Sequence, residues 1–136
     1  MSIALSTTLH ASFDDAVART REALAAQGFG VLTEIDMKAT LSKKLGESAG
    51  EELGDYLILG ACNPPLAQRA VHIDRQIGLL LPCNVVVRRD PEDAETIHVE
   101  AMNPQLLVEV TGDAELRPVA DEVTAKMQSA IDSLGH

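Results

Sequence analysis

Apolar side chains recur along this chain with two different periods. Alternation at every second residue predicts a β-strand, and a spacing of three to four residues predicts an amphipathic helix. Predicted strands lie at 3–10, 30–36, 56–59, 83–88 and 96–102, and predicted helices lie at 13–27, 37–46, from 64 to about 78, and at 115–134. The stretch 106–110 fits either a helical turn or a strand.

Capping residues and turn residues separate these elements. Ser12 stands before Phe13 in a start that resembles a capping box, and Gly28 is well placed to end the helix that follows. Pro64 and Pro65 fit the first turn of a helix, where proline is tolerated. The stretches 47–55, 60–63 and 89–93 are predicted as loops or turns, and the last of them closes a hairpin over 83–102.

The order of the predicted elements is strand, helix, strand, helix, strand, helix, hairpin, helix. This order predicts an α+β fold in which an antiparallel or mixed sheet has helices packed on one face. Each long helix carries a single apolar stripe, which fits packing against a sheet. A chain of 136 residues has the length of one domain, so residues 1–136 are predicted to form a single domain.

Composition and charge narrow the choice of partners. Two Phe, one Tyr and no Trp predict an aliphatic core. Eleven Lys and Arg against 21 Asp and Glu give a net charge of −10. This charge argues against nucleic acid and anionic membranes, because binding either one requires Lys and Arg to neutralise phosphates. No apolar run approaches the roughly 20 residues of a membrane span, and no signal peptide is recognisable, so a cytoplasmic location is expected.

The most distinctive stretch, 56–87, contains both cysteines, and each is followed by asparagine. Cys62-Asn63 stands before a proline and Cys83-Asn84 stands after one. In a cytoplasmic chain the two thiols are expected to be free. Cys62 is expected near a helix N-terminus, where backbone N–H groups favour a thiolate, and Asn63 is a candidate N-cap. The alternative is that both pairs are turns with buried, purely structural cysteines.

Two carboxylates give a second candidate site on the strand at 30–36. Alternation places positions 31, 33 and 35 on one face, and Leu32, Glu34 and Asp36 on the other. Glu34 and Asp36 could therefore act together as a hard-metal site or as a general-base pair. The same spacing is typical of a solvated sheet face.

Four stretches carry a resemblance to a known family. They are G-A-C-N-P from Gly60, G-L-L-L-P-C-N-V-V-V from Gly78, F-D-D-A-V-A-R-T-R-E-A-L from Phe13, and V-L-T-E-I-D-M-K-A-T-L-S-K-K-L from Val31. From about Leu5 to Leu134 the chain resembles domain-of-unknown-function family 302. The resemblance implies a compact α+β fold related to the TATA-box-binding-protein-like architecture, and a homodimer. It implies no established activity, and such a fold does not imply DNA binding.

The sequence contains no nucleophile–base triad, phosphate loop, dinucleotide fingerprint or HExxH motif, which favours a non-catalytic role. The preferred hypothesis is a dimeric domain that binds a small molecule or a metal ion. Its candidate ligand-binding residues are Cys62, Asn63, Cys83, Asn84, Glu34 and Asp36. The alternatives are a thiol-dependent redox protein and a purely structural or interaction domain. The sequence identifies neither a cofactor nor a particular metal.

Overall fold

Five strands form one sheet in the structure, a computed structural model that describes residues 2–135. The strands are β1 (Ala4–Leu9), β2 (Gly30–Asp36), β3 (Tyr56–Cys62), β4 (Cys83–Arg89) and β5 (Ile97–Met102). Their order across the sheet is β1-β5-β4-β3-β2, and each neighbouring pair is antiparallel. The predicted α+β class is confirmed, and the sheet is antiparallel rather than mixed.

Helices connect most of the strands. They are α1 (Phe13–Ala26), α2 (Met37–Leu45), α3 (Glu47–Leu53), α4 (Pro64–Ile73), α5 (Leu106–Thr111) and α6 (Arg117–Leu134), with 3-10 helices at Arg75–Leu80 and Ala114–Leu116. The predicted start of α1 is confirmed, because the Ser12 side chain accepts a hydrogen bond from the Asp15 N–H at 3.1 Å. The stretch that fitted either element, 106–110, is helical.

The apolar core lies on one face of the sheet, where α1 and α6 pack. Alternate residues of the three central strands are buried there: Leu57, Leu59, Ala61, Val85, Val87, Ile97, Val99 and Ala101. The facing stripe of α6 includes Val119, Val123, Met127 and Ile131. Each fully buried Leu, Val or Ile side chain contributes about 1.5–3 kcal/mol, so this layer supplies much of the stability.

The prediction of a loop at 47–55 is wrong, because Glu47–Leu53 forms α3. Helix α3 packs against α2, and Gly50 lies at the contact. A Cβ at position 50 would lie 2.6 Å from the Lys38 carbonyl oxygen and 1.8 Å from the Ser42 hydroxyl oxygen. The two helices approach this closely because position 50 has no side chain. We refer to residues 37–53, α2 with α3, as the helical arm.

The prediction of a turn at 60–63 is also wrong, because β3 continues through Cys62. Gly60 and Ala61 pair with β4 on one side and with β2 on the other. A Cβ at Gly60 would lie 2.1 Å from the Thr33 hydroxyl oxygen and 2.8 Å from Pro82 Cγ. Gly60 is therefore a position of close packing inside a strand rather than a turn residue.

The predicted faces of β2 are partly wrong, because its pairing with β3 shifts by one residue between Val31 and Thr33. Val31 lies opposite buried Ala61, while Ile35 lies opposite Ile58 on the other face of the sheet. An extra residue in one strand of a pair reverses the faces of the residues beyond it. Positions 31, 33 and 35 therefore do not share a face.

Candidate functional site

Cys62 and Cys83 lie close together at the ends of two neighbouring strands. Cys62 is the last residue of β3, Cys83 is the first residue of β4, and Cys83 pairs with Ala61. Cys83-Asn84 thus begins a strand, as the predicted strand at 83–88 requires, and the alternative that this pair forms a turn is wrong. Neither cysteine forms a disulfide.

Burial makes Cys83 chemically inert at neutral pH. Its side chain is 3% exposed and faces the core. Loss of hydration, together with the neighbouring Cys62, raises the pKa of the Cys83 thiol to about 11. Cys62 is only half-buried, and it comes one position after Ala61, so pleating directs its side chain away from the face that Cys83 occupies.

Asn84 lies apart from the other predicted site residues. It is exposed and pairs with Gly60, on the sheet face opposite the buried Cys83. The two asparagines therefore do not converge, and the two Cys-Asn pairs do not form one symmetrical site.

Asn63 occupies the N-cap position of α4, as predicted, but its side chain does not cap the helix. Its Nδ2 donates instead to the Gln27 carbonyl oxygen at 3.4 Å, which directs the amide toward the end of α1. Asn63 as a residue is 9% exposed, and its Oδ1 has no hydrogen-bond partner within residues 2–135. This oxygen is open to solvent, because no buried side-chain oxygen or nitrogen of these residues lacks a partner. The Leu66 N–H, in the first turn of α4, is also unpartnered there.

A small apolar cavity lies beside Asn63, between the strand ends and the helices. Its volume is about 20 Å³. Three predicted site residues, Cys62, Asn63 and Cys83, border it together with apolar residues that include Phe29, Leu66 and Leu107. A volume of this size holds one water-sized group, whereas typical small-molecule sites enclose about 300–1,000 Å³. The two cysteines alone therefore do not enclose space for a ligand.

A larger groove also borders Asn63. It encloses about 520 Å³ and shares Asn63 and Leu66 with the cavity. Arg69, Glu122 and Lys126 supply its charges. Arg69 forms an ion pair with Glu122, whereas Lys126 has no ion-pair partner within the described residues. Together these form a candidate site, which we call the Asn63 groove.

The two predicted carboxylates lie elsewhere and are already engaged. Glu34 forms an ion pair with Arg21 of α1. Asp36 accepts a hydrogen bond from the Ala39 N–H at 2.9 Å and so caps α2. The structure therefore does not bring Glu34 and Asp36 into the groove or leave them as an open pair.

Metal ligation and membrane insertion receive no support from the described part of the chain. Within residues 2–135, no three His, Cys, Asp or Glu side chains are grouped so that they could hold a metal ion. The helices of this part are too short or too polar to cross a bilayer.

Sequence reasoning missed most residues of the Asn63 groove. Arg69 and Glu122 are 53 residues apart, and Lys126 stands one helical turn after Glu122. The Asn63-Pro64-Pro65 run is the one local signal, because it marks the start of a helix. Its two prolines have no N–H groups, so few backbone donors are available there. The partners on α6 have no such signal, since packing alone brings α6 against α4.

Comparison with known proteins gives the same fold. The crystal structure of an uncharacterized conserved protein DUF302 from Bacillus stearothermophilus superimposes with a TM-score of 0.85 and 23% identity, covering 98% of this chain and 99% of the other. No curated protein matches the chain. The family described as "Domain of unknown function DUF302" matches residues 5–134. The TATA-box-binding-protein-like relationship stays a prediction. Because the match spans nearly the whole sequence, the chain belongs to the DUF302 family.

Proposed function

We propose that this DUF302 domain is a non-catalytic module that binds a small organic molecule in the Asn63 groove. One observation carries the proposal: a groove of about 520 Å³, which is the size of a small-molecule site, lies beside the N-terminus of α4. Its walls combine the apolar Pro65 and Leu66 with the Asn63 side-chain oxygen, which is open to solvent and can accept a hydrogen bond from a ligand.

The chemistry of the thiols supports binding over redox catalysis. A reactive cysteine requires an accessible thiolate. Burial raises the pKa of Cys83 to about 11, so this residue is protonated at neutral pH. Cys62 and Cys83 also lie on opposite faces of the sheet, because Cys83 pairs with Ala61, the residue before Cys62. Side chains that point to opposite faces cannot form a disulfide without strain. The metal-binding form of the hypothesis has no ligand cluster to support it within residues 2–135.

A fragment screen monitored by ¹H–¹⁵N NMR tests this proposal. We expect binders to shift the Asn63 side-chain amide and the Leu66 backbone amide first, because both border the groove. The variant Asn63→Ala should lose these responses while keeping a folded spectrum. The control Asn84→Ala removes an exposed amide on the other side of the sheet and should bind normally. A screen whose binders all shift other regions, or that finds none, contradicts the proposal.

A second observation favours self-association through β2. Within residues 2–135 this strand pairs only with β3, so its outer edge has no partner strand there, and it exposes Leu32 at 66% and Ile35 at 46%. An edge strand presents unpaired N–H and C=O groups, which are a ready template for pairing with a strand of another chain. We propose that β2 of a second copy pairs with this edge in a two-fold symmetric homodimer. The expected cytoplasmic location and the absence of a nucleic-acid partner stay predictions.

A further inference from the structure

We propose that in the β2-paired dimer the helical arm of each copy packs against residues 23–33 of its partner. This inference rests on the proposed pairing of β2 and adds a second contact surface to it. Three features carry it: the arm and residues 23–33 lie at opposite ends of β2, both surfaces are free of net charge, and the arm has no member in the apolar core of its own chain.

Antiparallel pairing of two β2 strands brings the arm of one copy to residues 23–33 of the other. Within one copy, the seven residues of β2 separate Gly30 from Asp36 by about 20 Å, and α2 begins at Met37, directly after the strand. In an antiparallel pair the end of one strand lies beside the start of the other. The register that pairs Leu32 with the partner's Ile35 matches the two exposed apolar side chains of β2 and places Gly30 opposite the partner's Met37.

The spacing of the strands sets the distance between the two surfaces. The arm joins β2 to β3 at one end of this strand pair, since Asp36 pairs with Leu57. Neighbouring strands are about 4.8 Å apart, so the midpoints of the two β2–β3 pairs of the dimer lie about 10 Å apart. Packed helices lie about 8–10 Å from their neighbours. The arm is therefore at packing distance from the turn that leads into the partner's β2.

Residues 23–33 form an uncharged segment of the surface. None of these eleven residues is Asp, Glu, Lys or Arg, although the net charge of the chain is −10. The arm is neutral as a whole, because its three lysines equal its three glutamates in number. Contact between these two surfaces avoids much of the repulsion between two acidic chains. The exposed members of the segment are Ala25, Ala26, Gly28, Gly30, Leu32 and Thr33.

The arm has apolar surface that its own chain does not cover. Its helices contain nine and seven residues, and isolated helices of this length are marginal in water. Among the described residues, the apolar core takes no member from 37–53, and Leu45 in the arm is 72% exposed. Packing on a second copy would bury part of this surface and stabilise both short helices.

Paramagnetic line broadening between two copies tests the contact. A nitroxide is attached to Ala39→Cys, an exposed position on α2, in a Cys62→Ala background, and Cys83 is too buried to be labelled. The labelled protein is mixed with ¹⁵N-labelled wild type without a nitroxide, so that only effects between copies are observed. We expect broadening of the amides at 27–30. The matched label at Leu79→Cys, an exposed position away from β2, should leave these amides sharp.

Replacing residues 37–53 by Asn-Gly gives a second measurement. The variant keeps a short connection between β2 and β3, and its sheet should fold, which the amide spectrum of the central strands checks. We expect its dimer to dissociate with a Kd at least about tenfold higher, the effect of exposing about one leucine-sized side chain. Light scattering over a dilution series measures this Kd.

The outcomes separate the arm contact from the pairing of β2. A monomeric wild type overturns both. A dimer that depends on Leu32 and Ile35, but shows no broadening at 27–30 from the label on α2, overturns the arm contact alone. Equal broadening from the label at Leu79→Cys, or an unchanged Kd in the folded variant without the arm, also overturns the arm contact and leaves the pairing of β2 standing.

Discussion

Cys83 is a thiol whose surroundings determine its chemistry. The sequence shows a cysteine beside an asparagine and a proline, which is compatible with a reactive site. The fold places that cysteine opposite Ala61, under the helices, where hydration of a thiolate is lost. The side chain therefore packs as a small apolar group. Burial of this kind depends on contacts between distant segments, so the sequence around Cys83 could not reveal it.

We expect alkaline solution to destabilise the protein through Cys83. Burial raises the pKa of this thiol from 9.0 to about 11, so the folded state holds the proton more tightly than the unfolded state. The resulting stabilisation is fully present below about pH 9 and is lost as the pH rises toward 11. Between about pH 8 and about pH 10.5 the free energy of unfolding should fall by an amount on the order of 2 kcal/mol.

Urea unfolding of the wild type and of Cys83→Ala at both pH values measures this effect. Other groups also titrate in this range, so the informative quantity is the difference between the two proteins. Cys83→Ala should begin less stable, because it leaves a small cavity, and should lose less stability on going to high pH. Parallel losses in the two proteins contradict the prediction.

Asn63 marks the limit of local sequence reasoning at the residue scale. Its position before Pro64 correctly predicted that it stands at the N-cap. The direction of its side chain depends on Gln27, which is 36 residues earlier. The open Leu66 N–H and the solvent-facing Asn63 oxygen follow from that long-range contact, because the side chain is held at Gln27 and does not cap α4.

The helical arm shows the same contrast at the scale of elements. Helix α2 was predictable, because Asp36 caps it and its apolar positions have helical spacing. Helix α3 was not, because glycine at position 50 lowers helix propensity by about 1 kcal/mol relative to alanine. The contact between α3 and α2 requires glycine at position 50, and this packing offsets the lower helix propensity. The β2 bulge and the extension of β3 to Cys62 were missed for a related reason, since each depends on the partner strand.

We expect Gly50→Ala to loosen the helical arm, although alanine is the better helix former. The added Cβ would clash with the Lys38 carbonyl and the Ser42 side chain, at a cost of about 1–3 kcal/mol. Amide hydrogen exchange should show faster exchange in α2 and α3 and unchanged protection in the central strands. The control is Ser48→Ala, because Ser48 lies on the exposed side of α3. In this variant the amides of the arm should be protected from exchange as well as in the wild type, or better. Unchanged exchange in Gly50→Ala contradicts the close contact.

At the scale of the whole molecule, we expect a dimer of about 29 kDa, twice the 14.5 kDa chain, in light scattering at micromolar concentration. Replacing Leu32 and Ile35 together by lysine should give a monomer, because charged side chains on an edge strand oppose pairing. The matched control replaces Leu79 and Val110 by lysine; these residues are 85% and 65% exposed and lie away from β2. A monomeric wild type, or a dimer that the β2 variant leaves intact, contradicts the proposed interface.

The class and most elements of the whole molecule followed from periodicity, because amphipathic patterns report which side of each element is buried. The order β1-β5-β4-β3-β2 did not follow, since strand pairing is a property of the assembled sheet. The Asn63 groove was hidden for the same reason, because α4 and α6 meet only after folding.

The helical arm also bears on how this domain can vary. Its two ends lie side by side on one antiparallel ladder, since Asp36 pairs with Leu57. Among the described residues, the apolar core takes no member from 37–53. A hairpin loop of about two to five residues would join β2 to β3 equally well. We therefore expect the arm to be an interchangeable connection, one that can be shortened, extended or replaced by a different segment without loss of the sheet or the groove.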